Sequence, residues 1–195
     1  MRESSRGRGT VGLETAGADA RRDNRLRAHW AAADWRQALQ RPIKASAPHV
    51  RVVGVEAGWR AEDDRVARGG AHPVTLAHSA SIADGLLAVR PGDLTFEHVR
   101  ALIDEVVRVS EDEIADAVRF LARHTKMVVE PSGATSVAGA RRLALPGATG
   151  VHVAVVSGGN VEPARVRRSC SVGKGRHHAS ADQVTRDVAM LALRS

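Results

Sequence analysis

Residues 50–55 read VRVVGV, a β-branched run bounded by Pro48 and Gly58. It shows no sustained apolar/polar alternation, so it suits a strand covered on both faces, as in a parallel sheet. A second run of the same kind, VHVAVV at 151–156, ends on Ser157-Gly158-Gly159-Asn160. Between them, Ser110-Glu111-Asp112-Glu113 forms a capping box, in which a Ser and a Glu three apart each cap the other's free backbone N–H. The helix it opens is predicted to run to about Arg123, with Ile114, Val118, Leu121 and Ala122 on one face. Residues 95–107 are predicted as another helix, on the spacing of Phe96, Val99, Leu102, Ile103 and Val106. Residues 132–143 (SGATSVAGARRL) are rich in small side chains and are predicted as a helix packed closely on a sheet. Strands alternating with helices imply an α/β fold with a parallel sheet and right-handed crossovers.

Outside this middle the composition changes. The chain has 195 residues, enough for one domain or slightly more. Its 43% hydrophobic content excludes a wholly disordered chain. No run approaches the length of a transmembrane helix, and the first 20 residues lack the apolar centre of a secretory signal. A cytoplasmic protein without membrane contact is the expectation. One cysteine, Cys170, excludes a disulfide framework and a cysteine-based zinc site.

The net charge of +7 invites a nucleic-acid reading. By position it divides into +5 over residues 1–44, −3 over 45–163 and +5 over 164–195. Residues 17–42 show no clear strand period and a weak helical one, residues 164–180 are basic and patternless, and residues 182–193 suit a short helix. The Arg clusters at 21–27 and 165–168 could meet phosphates. Only Trp30 and Trp35, after the first cluster, could serve as stacking platforms. A basic nucleic-acid-binding protein using its Arg-rich ends is therefore the alternative function.

Four features could carry chemistry. Ser157-Gly158-Gly159-Asn160 follows a buried strand, and parallel α/β sheets gather ligands at the carboxyl ends of strands. A glycine pair there lets backbone approach a flat ligand, and a Ser hydroxyl can donate or accept; a plain strand-to-loop turn is the other reading. Glu56 ends the first strand ahead of Glu62, Asp63 and Asp64, a donor set for a hard cation or a solvated helix start. Glu130 stands between Met127-Val128-Val129 and Pro131, as a catalytic carboxylate or an ordinary boundary residue. His177-His178 lacks further ligands at metal spacing and reads as tail composition.

Five ordered blocks carry a family resemblance: APHVRVVGVE (47–56), SIADGLLAVRPGDLTFEHVR (81–100), IDEVVRVSEDEIADAV (103–118), KMVVEPSGATSVAG (126–139) and VAVVSGGNVEP (153–163). With GRGTVGLE (7–14), they resemble the second half of threonine/serine dehydratases and their serine racemase relatives. These are pyridoxal-phosphate enzymes of the tryptophan-synthase-β-like fold. The resemblance implies an incomplete three-layer α/β core of that fold (fold type II), with pyridoxal 5'-phosphate as cofactor. It implies dehydration of L-threonine or L-serine to a 2-oxo acid and ammonium, and a homo-oligomer. It further implies that Ser157 hydrogen-bonds the pyridine nitrogen and that Gly158 packs close by. Gly85, in IADG, would bring its backbone to the ring, and Glu130, in VEPSGA, would lie near the cofactor. Some members hold Mg2+ or another divalent cation through a Glu, an Ala carbonyl and an Asp. Glu56, Ala61 and Asp63 are the nearest matches, with a Glu-to-Ala spacing longer by one.

Two parts of the family pattern have no match. The Schiff-base lysine of a Ser-Phe-Lys-x-Arg motif is absent, since Lys44, Lys126 and Lys174 all have other contexts. The substrate-carboxylate loop of the first half has no counterpart either. No catalytic residue is therefore assigned, and the chain alone is expected to be inactive. A third part, a tetraglycine loop that cradles the cofactor phosphate, is expected between Glu14 and Ile43. Residues 30–42 (WAAADWRQALQRP) back-translate, with chosen codons read from the third base of the first, to GGGGLAPGIAAA. The expected organisation is a family remnant at 1–16, a basic frame-shifted stretch at 17–42, a dehydratase-like α/β domain at 43–163 and a basic tail at 164–195 without a recognised regulatory domain.

Overall fold

A computed structural model describes residues 11–15, 17, 27–31, 36–58, 75, 77–143, 152–164, 166–167 and 188–192. Its strands are β1 (Arg27–Ala31), β2 (Arg51–Ala57), β3 (Glu105–Val109), β4 (His152–Val156) and β5 (Val188–Ala192). Among the described residues, the helices used below are α1 (Arg36–Ser46), α2 (Asp93–Leu102), α3 (Glu111–Phe120) and α4 (Pro131–Leu143). All strands join one sheet in the order β3-β2-β1-β4-β5, and every pairing is parallel.

The order explains the layers. The chain steps outward from β1 to β3, then crosses back to β4. Right-handed crossovers place α1 and α2 on one face and α3 and α4 on the other. Packing around β2 agrees. A Cβ on Gly54 would stand 3.1 Å from Ile103, just past α2, whereas the next residue, Val55, packs on Gly139 of α4. Adjacent strand residues face opposite sides, and Val52, Val53 and Val55 are fully buried. The 50–55 run is thus covered on both faces, as its composition implies.

The capping box is formed. Glu113 N–H donates to Ser110 Oγ (3.2 Å) and Ser110 N–H donates to a Glu113 carboxylate oxygen (2.7 Å). Ile114, Val118 and Leu121 enter the core while Ala122 stays half-buried. Helix α3 passes into one π-helical turn (Leu121–Thr125), which Lys126 closes in the left-handed region at φ 59°. Helix α4 starts one residue before the expected boundary, on Pro131, where a missing N–H costs nothing. Every residue from Pro131 to Ala140 is buried, which the small side chains of this helix permit.

Three expectations are corrected. The helix expected over 95–107 ends at Leu102, and Glu105–Val109 is strand β3. The apolar spacing continues past Leu102 by coincidence, while Val106, Val107 and Val109 favour a strand. Asp104 directs the change: its carboxylate accepts from Val52 N–H (2.7 Å) and its own N–H donates to Val52 O (3.0 Å). Residues 27–31, without a strand period, form β1 between β2 and β4. That slot satisfies backbone groups on both sides whatever the side-chain pattern. The short helix expected over 182–193 is replaced by β5, paired with β4.

Candidate functional site

The site is built around the first turn of α4. Ser157 follows the carboxyl end of β4, and α4 approaches it through Gly133. A Cβ there would lie 2.7 Å from the Ser157 carbonyl carbon, so only glycine fits. Ser136 Oγ, one turn on, donates to Val155 O (2.6 Å) and ties the helix to β4. Glu130, just ahead of α4, donates its N–H to Gly158 O (3.3 Å). Gly158 has φ +79°, and a Cβ on it would run into the Glu130 side chain, 2.6 Å from Cδ. Backbone and side chain of Glu130 thus both lie against the Gly158 peptide.

The third wall is the loop at 81–86. Gly85 N–H donates to Ser132 Oγ (2.9 Å), in the first turn of α4. A Cβ on Gly85 would stand 3.0 Å from that oxygen. Ala83 is fully buried in the core, and Leu86 N–H donates to Ala83 O (2.9 Å) to close a 3-10 turn over Asp84–Leu86. On its far side the loop meets Glu111, whose carboxylate accepts from Ser81 Oγ and Ile82 N–H, both at 2.7 Å.

Gly85, Glu130, Ser157 and Gly158 are therefore brought together, with Ser157 half-buried and Gly85 and Gly158 exposed. Glu56 is apart, at the end of β2 and in register with Arg108 of β3. Ala61 and Asp63 lie outside the described residues. Among the described residues no three His, Cys, Asp or Glu side chains gather as a metal site, so the cation expectation draws no support here. Ser132 and Glu111 are site-building residues that sequence reading missed. Glu111 was visible only as a member of the capping box, and its loop partners are 29 and 30 residues away.

The arrangement fits one part of a pyridoxal ring site. A flat ring needs bare backbone to lie against and a hydroxyl for its nitrogen; Gly85, Gly158 and Ser157 are the residues here that could supply these. No described lysine reaches the site. Lys44 Nζ donates to Val50 O (3.0 Å) and pairs with Asp104 (2.6 Å). That is the amino end of β2, and in a parallel sheet it is the end opposite Ser157. Lys126 Nζ donates to Arg123 O (2.7 Å). Lys174 lies outside the described residues. Away from the site, Arg141 stacks over Phe120 at 4.5 Å. Burial pulls its guanidinium pKa down, and Asp116 opposes that shift.

A family model described as pyridoxal-phosphate dependent enzyme matches residues 35–158. L-threonine ammonia-lyase of Thermotoga maritima is 39% identical over 133 residues, covering 67% of this chain and 32% of that protein. L-threonine ammonia-lyase of Geobacter sulfurreducens is 36% identical over 126 residues, covering 62% of this chain and 30% of that protein. Among solved structures, maize serine racemase superposes with TM-score 0.68 at 30% identity, over 84% of this chain and 51% of that one. A threonine deaminase from T.th. superposes with TM-score 0.66 at 29% identity, over 80% and 58% respectively. The chain thus spans about a third of the length of the curated relatives it matches.

Proposed function

This chain belongs to the pyridoxal-phosphate dependent enzyme family, and from that premise we propose that it is the ring-binding part of a threonine/serine dehydratase. Its parallel sheet and flanking helices are part of the α/β core of fold type II. The reaction class is β-elimination of L-threonine or L-serine to a 2-oxo acid and ammonium. When bound, pyridoxal 5'-phosphate supplies the electron sink for that chemistry. The observation that carries the proposal is the convergence of Gly85, Glu130, Ser157 and Gly158 on the first turn of α4. Ser157 offers a neutral hydroxyl to the ring nitrogen, which leaves that nitrogen largely unprotonated and suits elimination. Gly85 and Gly158 give the ring bare backbone, and Glu130 holds the Gly158 peptide.

The chain as it stands binds the ring without turning substrate over, because no lysine in a family-like context is present. Cytoplasmic location is kept from the sequence expectation, and homo-oligomeric assembly from the family resemblance. No helix among the described residues is long and apolar enough to cross a membrane. The frame-shifted origin of residues 17–42 has two supports in α1. Both amide atoms of fully buried Gln40 lack a hydrogen-bond partner, and Pro42 sits inside the helix. The alternative reading places Ala at both positions. The nucleic-acid alternative draws no support from the family match.

Titration of the 195-residue chain with pyridoxal 5'-phosphate, read by equilibrium dialysis, tests the proposal. Saturable uptake is expected, weakened about 3–10-fold by Ser157→Ala, the worth of one neutral hydrogen bond. No 2-oxo acid is expected from L-threonine. Absence of uptake would overturn the ring-binding reading. Turnover, or a borohydride-fixed pyridoxyl adduct on one specific lysine, would overturn the inactivity.

A further inference from the structure

We propose that Glu111 is a positioning residue that holds the 81–86 loop, and with it the Gly85 backbone, against the ring face. The inference rests on the ring-binding reading above. Apart from its single 3-10 turn the loop has no regular structure, so side-chain anchors set its place. Ala83 plugs it into the core, and Ser132 Oγ accepts from Gly85 N–H at one end. At the other end Glu111 takes Ser81 Oγ on one carboxylate oxygen and Ile82 N–H on the other. Ser81 Oγ in turn accepts from Ala83 N–H (3.0 Å), so the carboxylate organises three successive residues. Hydrogen bonds to a carboxylate are about twice as strong as neutral ones, which makes this a stronger hold than the Gly85–Ser132 bond at the other end.

Glu111 is free for this task because α3 does not need it as a cap. Ser110 and Glu113 cap the helix between them, and Glu113 also pairs with Arg142 (3.2 Å). Two carboxylates in one helical turn therefore have separate duties. Glu113 secures α3 to itself and to α4, whereas Glu111 reaches across to a loop that joins neither helix.

The test uses the full chain with Glu111→Ala, Glu111→Gln and Glu113→Gln. Amide hydrogen exchange at 81–86 is measured without ligand, alongside the urea midpoint and pyridoxal 5'-phosphate affinity. In Glu111→Ala, exchange at Ile82, Ala83 and Gly85 is expected to rise about tenfold and affinity to fall severalfold, with the urea midpoint lowered by no more than that tenfold change accounts for, as for loss of charge-assisted bonds confined to one loop. Glu111→Gln keeps one acceptor oxygen and should recover part of both. Glu113→Gln should lower the midpoint and leave loop exchange and affinity alone. Unaltered loop exchange in Glu111→Ala overturns the proposal. So does a loosened loop with unaltered affinity, since the loop then positions nothing at the ring. If the unsubstituted chain takes up no pyridoxal 5'-phosphate, the ring-binding reading fails, and exchange alone decides whether Glu111 holds the loop.

Discussion

Gly158 adopts φ +79° with its α-carbon against Glu130, so close that a Cβ there would come within 2.6 Å of the Glu130 carboxyl carbon. Two separate costs follow for any side chain at this position. The left-handed backbone disfavours an L-residue by about 1–2 kcal/mol, and the new atom must displace the carboxylate. Gly158→Ala is expected to lower the urea midpoint through both. Glu130→Ala in the same chain should remove the second cost and leave the first. The double variant is thus expected to be more stable than the sum of the singles. Strict additivity of the measured free energies would count against the contact.

At Gly133 the obstacle is backbone, not side chain. The Ser157 carbonyl cannot rotate away from a new Cβ as a carboxylate can. Gly133→Ala is expected to cost about 3 kcal/mol or more, at the upper end of overpacking. Gly92→Ala, whose new Cβ meets nothing nearer than Thr95 Oγ1 at 3.5 Å, should cost under about 1 kcal/mol. Equal losses in chemical denaturation would contradict the close approach of α4 to β4.

Helix α1 holds two residues at odds with their places. A buried amide without partners costs about 1–3 kcal/mol, and a proline inside a helix about 3 kcal/mol relative to Ala. Gln40→Ala and Pro42→Ala together are therefore expected to raise the thermal midpoint, with Pro42→Ala giving the larger share. A fall in midpoint on Pro42→Ala would remove one structural support for the frame-shifted origin of residues 17–42.

Arg141 has a guanidinium nitrogen buried without a hydrogen-bond partner and lies over the Phe120 ring. Burial disfavours its charge more than Asp116 restores it. Arg141→Met keeps contact with the ring and removes the desolvated charge. Stability is expected to stay level or to rise by about 1 kcal/mol. A loss above about 2 kcal/mol in urea denaturation would show that the cation–ring contact outweighs the desolvation.

Local patterns were enough for the strands at 51–57 and 152–156, the capped helix and the small-residue helix. Each is specified by neighbours in the chain: a β-branched run, a Ser and Glu three apart, a series of side chains small enough for a sheet to approach. Local reading singled out Glu130, Ser157 and Gly158 as candidates, and the resemblance added Gly85 and linked the four, which are scattered along the chain from the 81–86 loop to the end of β4. Tertiary structure decided the rest. Strand β3 was hidden under a continuing helical period, and Asp104, bonded to Val52, turns the chain into the sheet. Strands β1 and β5 owe their state to partners distant in sequence, because ladder hydrogen bonds form between backbones rather than within a pattern. The same holds for Glu111. Its place beside Glu113 marks it as one more acid at a helix start, and only the packing of the 81–86 loop gives its carboxylate two donors. Short-range chemistry sets which segments become strands or helices with a buried face; which polar groups then meet depends on how those faces stack.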